Sequence, residues 1–480
     1  MSMRNASTTE KKPCVAIVGA GTSGVVCAKV LSQQGLDVVV FEKGSQLGGL
    51  WRFGNDNGMS SIYRSLHINT SKRMMQLSDF PMPAHIAEYP SHTEIIEYFE
   101  SYAEAFNVRA LIRFNTEVLH ISKVSQGQWL MKICQPDGQV EVQEFEHVVI
   151  ANGHHWNPRM VKFPGHFNGQ QFHAHHYVDI KSPVNMAGKR VVVIGAGNSA
   201  MDIASELGQA LRMDMSTPAD QVTGPVKVIL SQRSGVWIAP KVLGNIAQDS
   251  KVRHPMTRPG LMEKLRRRYV PRALRTKAYN LIAEHLIRSV AGDPSRVGLK
   301  QPVEPYSYRH GTISQDIHSR LIHGDIVPKG NITELRGDTV VFEDGSQERV
   351  DVLVHCSGYR ITFPFFDANF ISAPNNDIAL WQRMVLPQHQ GLYFVGLVQP
   401  KCSMMPVAEL QSSFLADAIL GRIALPNPET MEREMHQAYE AAKSGFTRSE
   451  SHTIQIDCEE YSHDLFAQWE QCLRLQKKAA

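Results

Sequence analysis

An α/β protein with two Rossmann-like dinucleotide-binding domains is predicted by a glycine-rich signature written twice, as VAIVGAGTSG from Val15 to Gly24 and as VVVIGAGNSAMD from Val191 to Asp202. Each copy follows a run of β-branched residues and leads into a helix-like stretch, the strand–turn–helix context that the signature needs. Hairpin-like sequence between the copies, and again after the second, is the third observation. It makes the first domain discontinuous, with the second inserted into it.

In the first copy, Gly19 permits the tight turn and Gly21 lets the backbone approach a pyrophosphate, with Ser23 and Gly24 opening the helix. Gly195, Gly197, Asn198 and Ser199 repeat this arrangement, and Ala200 stands where the third glycine would be, still small enough for close helix-to-strand packing. The helix N-terminus then offers unpaired N–H groups to the anion. A tight βα turn without a ligand is the alternative for either copy alone; two copies in one chain favour two bound dinucleotides.

The strands that follow make the two units unequal. DVVVFEK brings Glu42, with Lys43 beside it, about twenty residues beyond the glycines, where a carboxylate accepts from ribose hydroxyls and repels a 2′-phosphate. This site suits FAD or NAD. VKVILSQRSG ends without an acid and offers Ser231, Gln232, Arg233 and Ser234, which suit the 2′-phosphate of NADP. A solvated arginine is the alternative for Arg233, and its position favours the phosphate.

The segment from Gln128 to Gly153, with a turn at Asp137-Gly138, reads as a β-rich return to the first sheet. A second hairpin signal spans Val340 to Arg360, and GLYFVGLVQP is the next candidate strand. The expected boundaries are a disordered lead-in at 1–13, a first domain at 14–180 and 331–445, a second at 187–330, and a C-terminal extension at 446–480. Within the second domain, about 241–305 forms a helical basic insertion interrupted at Pro271. A solvated insertion is preferred there over a membrane-surface or nucleic-acid face; its leucines and isoleucines need a partner surface, and the protein's own core is one candidate.

With 480 residues, a formal net charge of +3 and a mean hydropathy of -0.24, the chain is expected to be soluble and globular with two or three cores. The small charge gives no reason to expect a nucleic-acid partner. Neither a signal peptide nor a membrane-length apolar run is evident. Seven cysteines lie scattered without a C-x-x-C pair and read as reduced, mostly structural thiols of a cytoplasmic protein. His175 and His176 lack an acidic or cysteine partner nearby, so no metal is expected.

Before the second signature, Phe167, Gly169, His173 and Tyr177 are spaced F-x-G-x-x-x-H-x-x-x-Y, which resembles the identifying sequence of class B flavin-dependent monooxygenases. The terminal Tyr resembles the flavin-containing monooxygenase branch, whereas the Baeyer–Villiger branch typically has Trp. FEKGSQLGGLW is similar to the family's continuation after the first signature, with Gly48, Gly49, Leu50 and Trp51 near the flavin. SIYRSLHINTSKRMM resembles the segment with the family's active-site asparagine, here Asn69, followed by Thr70. HCSGYR, with Gly358, is similar to its A-T-G-Y element, Cys356 and Ser357 replacing Ala and Thr. GLVQPKCSMMPVAELQ, with Gln399 and Gln411, resembles the C-terminal flavin-contacting stretch, and SHTIQIDCEEY a segment of the animal enzymes.

The resemblance implies FAD in the first domain and NADPH in the second. It implies that O2 adds at flavin C4a, that NADP+ shields the resulting C4a-hydroperoxyflavin, and that Asn69 bonds near it. His173 is read as a structural hinge residue. The expected activity is N- or S-oxygenation of a small nucleophilic substrate, with O2 as the other partner. Baeyer–Villiger oxidation of ketones and a non-enzymatic flavoprotein redox sensor are the alternatives. A disulfide reductase would need a close cysteine pair by the flavin, and the spacing shows none. A homodimer is compatible with the sequence, although nothing local demands one.

Overall fold

The computed structural model describes residues 14–124, 127–309, 311–442 and 453–479. The expected lead-in at 1–13 and the beginning of the C-terminal extension, 446–452, lie outside the described residues. The chain opens with β1 (Cys14–Val18), α1 (Thr22–Gln33), β2 (Asp37–Phe41), α2 (His92–Ala105), β3 (Ile112–Arg113) and β4 (His147–Ile150). Its middle supplies β5 (Gln170–His173), β6 (Arg190–Ile194), α3 (Asn198–Asp214), β7 (Lys227–Ser231), α4 (Leu261–Tyr269), α5 (Arg272–Ala291), β8 (Val327–Lys329) and β9 (Val352–His355). The last part contributes β10 (Leu392–Phe394), α6 (Met404–Ile419) and α7 (Cys458–Ala479).

Two five-stranded parallel sheets result, one in the order β10-β4-β1-β2-β3 and the other in the order β5-β9-β6-β7-β8. Strands β1 and β6 are apolar on both faces and buried, as central strands covered on both sides must be. Each is followed by a helix and then by the strand on one side, while a later strand fills the other side. That reversal is the topological switch point at which open α/β sheets bind their ligands. Helix α1 is buried against α6, with Val25, Leu31, Val407, Leu410 and Phe414 in one core.

Because β10 joins the first sheet after the whole second sheet has been completed, the first unit is discontinuous and the second is inserted into it. The strand inventory differs from the expected boundaries at two places. Both β5 and β9, which the sequence reading gave to the first domain, lie in the second sheet, where Val191 pairs with Val352. A short apolar strand such as VLVH carries no mark of which parallel sheet it will join, so its length and pattern fit either. An antiparallel sheet of 332–337, 339–342 and 347–349 packs with 165–167 beside it. The hairpin around Asp137-Gly138 forms and leads into β4.

The basic insertion contains α4 and α5, separated at Pro271, which cannot donate an N–H within a helix and restricts the residue before it. The reading of every cysteine as a reduced thiol is corrected: Cys402 and Cys458 form a disulfide. Parallel pairing of Gln399–Pro400 with Gln455–Ile456 carries these two residues together across a separation of 56, which spacing alone does not reveal. Among the described residues, no helix is long and apolar enough to cross a membrane.

Candidate functional site

Gly19 and Gly195 occupy equivalent places at the ends of β1 and β6. Their φ angles are +100° and +141°, and an added Cβ would lie 2.8 Å from the Ala151 carbonyl oxygen or 2.7 Å from that of Cys356. Both substitutions would therefore meet strained backbone as well as a carbonyl beyond the neighbouring strand. Gly24 is closer still, its Cβ falling 1.9 Å from the Gly19 carbonyl oxygen, so α1 lies directly on the turn. Ala200 is buried at the corresponding point of α3.

Neither helix has a side-chain cap, and neither has an acid in its first turn. The unpaired N–H groups and the positive ends of the helix dipoles are thus left for an external anion. Ser23 lies in the first turn of α1 and Ser199 in that of α3, whereas the Asn198 Oδ1 accepts from the Ile313 N–H at 2.7 Å. Gly49, at φ +52°, approaches so closely that its Cβ would be 2.8 Å from the Gly21 Cα. Leu50 and Trp51 continue this turn, the Leu50 carbonyl accepting from Ser60 Oγ at 2.9 Å.

Glu42 is buried at the end of β2, where its carboxylate accepts from the Ala20 N–H at 2.7 Å, the Gly44 N–H at 2.8 Å and Asn57 Nδ2 at 3.0 Å. Lys43 points to the surface and pairs with Glu117 at 2.9 Å. In the second unit, Arg233 is exposed and has no ion-pair partner among the described residues. Ser231 is different: its buried hydroxyl donates to the Gly330 carbonyl at 2.9 Å. Ser234 accepts from Arg309 Nη1 at 3.0 Å, and Lys300 Nζ donates to the Arg233 carbonyl at 3.0 Å. Lys300 and Arg309 are cations of this edge that no motif in the sequence marks.

Asn69 is partly buried, and its Oδ1 is buried without a hydrogen-bond partner. Its neighbours are firmly held: Ile68 N–H donates to Pro90, Lys241 Nζ donates to the Ile68 carbonyl at 3.2 Å, and Ser71 N–H donates to Asp249 at 2.9 Å. Thr70 lies between these anchors. An unpartnered amide oxygen on an anchored segment is what a cofactor- or substrate-facing group requires, because a buried acceptor left alone costs about 1–3 kcal/mol. The same segment is latched to α3, with Tyr63 OH donating to Asp202 at 2.5 Å and Ser65 Oγ to Glu206 at 2.8 Å. Burial pushes the Asp202 carboxyl up to about 6, opposed by the Tyr63 bond and by Lys241. Sequence reasoning missed this latch: Tyr63 and Asp202 stand within the quoted segments, but 139 residues separate them.

The F-x-G-x-x-x-H-x-x-x-Y residues lead from the strand beside the antiparallel sheet, at Phe167, through β5 of the second sheet to Tyr177. Phe167 and Tyr177 are buried, Tyr177 against Tyr63 with ring centroids 6.1 Å apart, and a Cβ on Gly169 would lie 2.5 Å from the Asp351 carbonyl oxygen. His173 accepts from the His175 N–H at 3.0 Å and pairs in register with His355. Burial lowers both His173 and His355 to about 4, and His155 likewise, so these imidazoles are neutral at physiological pH. His155, His173 and His175 gather around Tyr359, beside Gly358 at φ +79°, while His355 packs on Phe163. Among the described residues, no group of three His, Cys, Asp or Glu is arranged to hold a metal ion.

The C-terminal stretch closes on the first signature, where a Cβ on Gly396 would lie 2.2 Å from Ser23 Oγ. Gln411 is fully buried, accepting from the Gly396 N–H at 2.9 Å and donating to Tyr461 OH at 2.9 Å. It positions this stretch and has both ends of its amide engaged. Gln399 lies in the short parallel ladder with Gln455, next to the disulfide.

A family model described as flavin-binding monooxygenase-like matches residues 11–471. Flavin-containing monooxygenase 5 of Mus musculus is 33% identical over 459 residues, covering 93% of this chain and 80% of its own. Dimethylaniline monooxygenase (N-oxide-forming) 2 of Cavia porcellus is 32% identical over 464 residues, covering 94% of this chain and 81% of its own. Among solved structures, S-allyl-L-cysteine S-oxygenase from Allium sativum superposes with a TM-score of 0.66 at 23% identity, covering 98% of this chain and 92% of that one. A cyclohexanone monooxygenase mutant from Rhodococcus sp. Phi1 bound to NADP+ gives 0.68 at 19% identity, covering 96% and 98%. The two superpositions share the fold.

Proposed function

Because the chain belongs to the flavin-binding monooxygenase-like family, we propose that it uses NADPH, FAD and O2 to place one oxygen atom on a soft nucleophile, an amine nitrogen or a sulfide sulfur. When bound, the flavin and nicotinamide supply the electrons and the activation of oxygen. The protein's own residues bind, orient and exclude water. The signature at Gly19 and Gly21 would hold the FAD pyrophosphate, with Glu42 for the adenosine ribose, and that at Gly195 and Gly197 would hold NADPH, with Arg233 for the 2′-phosphate.

Asn69 carries the reading. Its unpartnered buried Oδ1 belongs to a segment bonded both to the first unit and to α3 of the second. A neutral amide can donate or accept near the reacting centre without adding charge. His155, His173 and His355 are held neutral by burial, so none is a cationic acid at neutral pH. An amine or sulfide needs no protein base to attack an electrophilic oxygen, in keeping with a site built for positioning.

The names of the relatives divide between N-oxide formation, S-oxygenation and ketone oxidation. Tyr177 at the end of the motif, packed on Tyr63, favours the first two over the Baeyer–Villiger alternative. A panel of a tertiary amine, a thioether and a cyclic ketone, assayed by NADPH oxidation with product identification, tests this: N-oxide or sulfoxide should dominate, and lactone as the main product would reverse the order. A cytoplasmic address and a homodimer complete the proposal. Cell fractionation and light scattering test them respectively, and a compartment-enclosed pool or a monomer would contradict them.

A further inference from the structure

Helix α3 opens with the second signature, yet two of its acids are engaged elsewhere. Asp202 and Glu206 stand one turn apart and so share one helix face. Both accept from the segment that carries Asn69, Asp202 from Tyr63 OH at 2.5 Å and Glu206 from Ser65 Oγ at 2.8 Å. A carboxylate this near a helix N-terminus repels a pyrophosphate placed there, so neither acid serves the phosphates. Tyr63 is 4% exposed and packs edge-on against Tyr177, which seals its hydroxyl from bulk water and leaves it dependent on the carboxylate.

The other bonds of this segment come from two directions. Within the first unit, the His92 N–H donates to the Leu66 carbonyl at 3.1 Å, that of Ile68 to Pro90 at 2.9 Å and that of Lys72 to Glu88 at 2.8 Å. From the second unit, Lys241 Nζ donates to the Ile68 carbonyl at 3.2 Å, and Asp249 accepts from the Ser71 N–H at 2.9 Å. The charge of Lys241 also attracts Asp202. The second unit therefore grips the segment on both sides of Asn69, and Asp202 is the point of that grip that lies on the signature's own helix. We propose that Asp202 is a positioning residue for oxygen transfer, which through Tyr63 fixes the Asn69 amide relative to α3; this rests on the reading of Asn69 and of the second signature given above. With the grip in place, NADPH, a proton, O2 and substrate give NADP+, water and oxygenated product. Without it the amide is held less closely, and NADPH, a proton and O2 give NADP+ and hydrogen peroxide.

The test compares holoenzymes of the wild type, Asp202→Ala, Asp202→Asn, Tyr63→Phe and the double variant Tyr63→Phe/Asp202→Ala, turning over a thioether. FAD content, KM for NADPH, sulfoxide and hydrogen peroxide are measured for each. In Asp202→Ala and in Tyr63→Phe, sulfoxide per NADPH should fall about fivefold or more, with peroxide making up the difference, while FAD content and KM for NADPH stay near those of the wild type. The double variant should lose no more than either single one, because the pair acts as a unit. Asp202→Asn, which keeps an acceptor for Tyr63, should restore most of the sulfoxide. A wild type that couples well and variants that couple equally well would overturn the role of Asp202 alone. So would losses that add in the double variant, an Asp202→Asn no better than Asp202→Ala, or losses confined to FAD content and KM. A wild type that forms no oxygenated product would instead overturn the functional reading, and this proposal with it.

Discussion

At Asp202, burial creates a pH dependence whose sign follows from its direction. The carboxyl titrates near 4 in an unfolded chain and is pushed up to about 6 here. Its contribution to stability is therefore fully present below about pH 4 and is lost as pH rises through about 6. Up to about 3 kcal/mol is at stake over that window. Asp202→Asn keeps an acceptor for the Tyr63 hydroxyl and removes the titration, so denaturation of this variant should show a flatter profile between those pH values. Parallel profiles for the two proteins would contradict the assignment. At Arg233, which has no ion-pair partner among the described residues, replacement by Ala should raise KM for NADPH by about tenfold or more and leave KM for NADH nearly unchanged, since a charge-assisted phosphate bond contributes about 1.5–3 kcal/mol. Equal changes would remove Arg233 from the 2′-phosphate site. Asn69→Ala should retain FAD, measured by its absorbance, while product per NADPH falls. Loss of flavin would mean a structural role.

Local elements were readable in the sequence where backbone chemistry allows few residue types. Gly19, Gly24 and Gly195 sit where a Cβ would strike a carbonyl, and Glu42 ends the strand that its fingerprint predicts. Contacts between distant segments were not readable in this way. The Tyr63–Asp202 latch, the position of β9 in the second sheet, and the engagement of Ser231 by Gly330 all depend on tertiary placement. The Cys402–Cys458 bond belongs to the same class. It ties the loop before α6 to the start of α7, and closing a loop of this length stabilises the fold by at most about 4 kcal/mol in the chain-entropy account. Cys458→Ser should accordingly melt at lower temperature than the wild type, and a reductant should lower the wild-type Tm while leaving the variant unmoved. A variant and wild type with the same Tm in oxidising buffer would show that the bond contributes nothing.

For the whole molecule, the doubled signature is the organising fact. Each copy places its glycines at the carboxyl edge of a central parallel strand, and the Asn69 segment, bonded to the second unit through Tyr63, Ser65 and Ser71, lies between the two. In the proposed function the first copy would hold the flavin and the second the hydride donor, with the anchored Asn69 segment between them. The direct test is turnover of a tertiary amine or thioether with NADPH under oxygen-18 gas, followed by mass spectrometry of the product. One labelled oxygen atom should appear in the N-oxide or sulfoxide for each NADPH consumed. NADPH consumption with only hydrogen peroxide formed, or product oxygen derived from water, would contradict it.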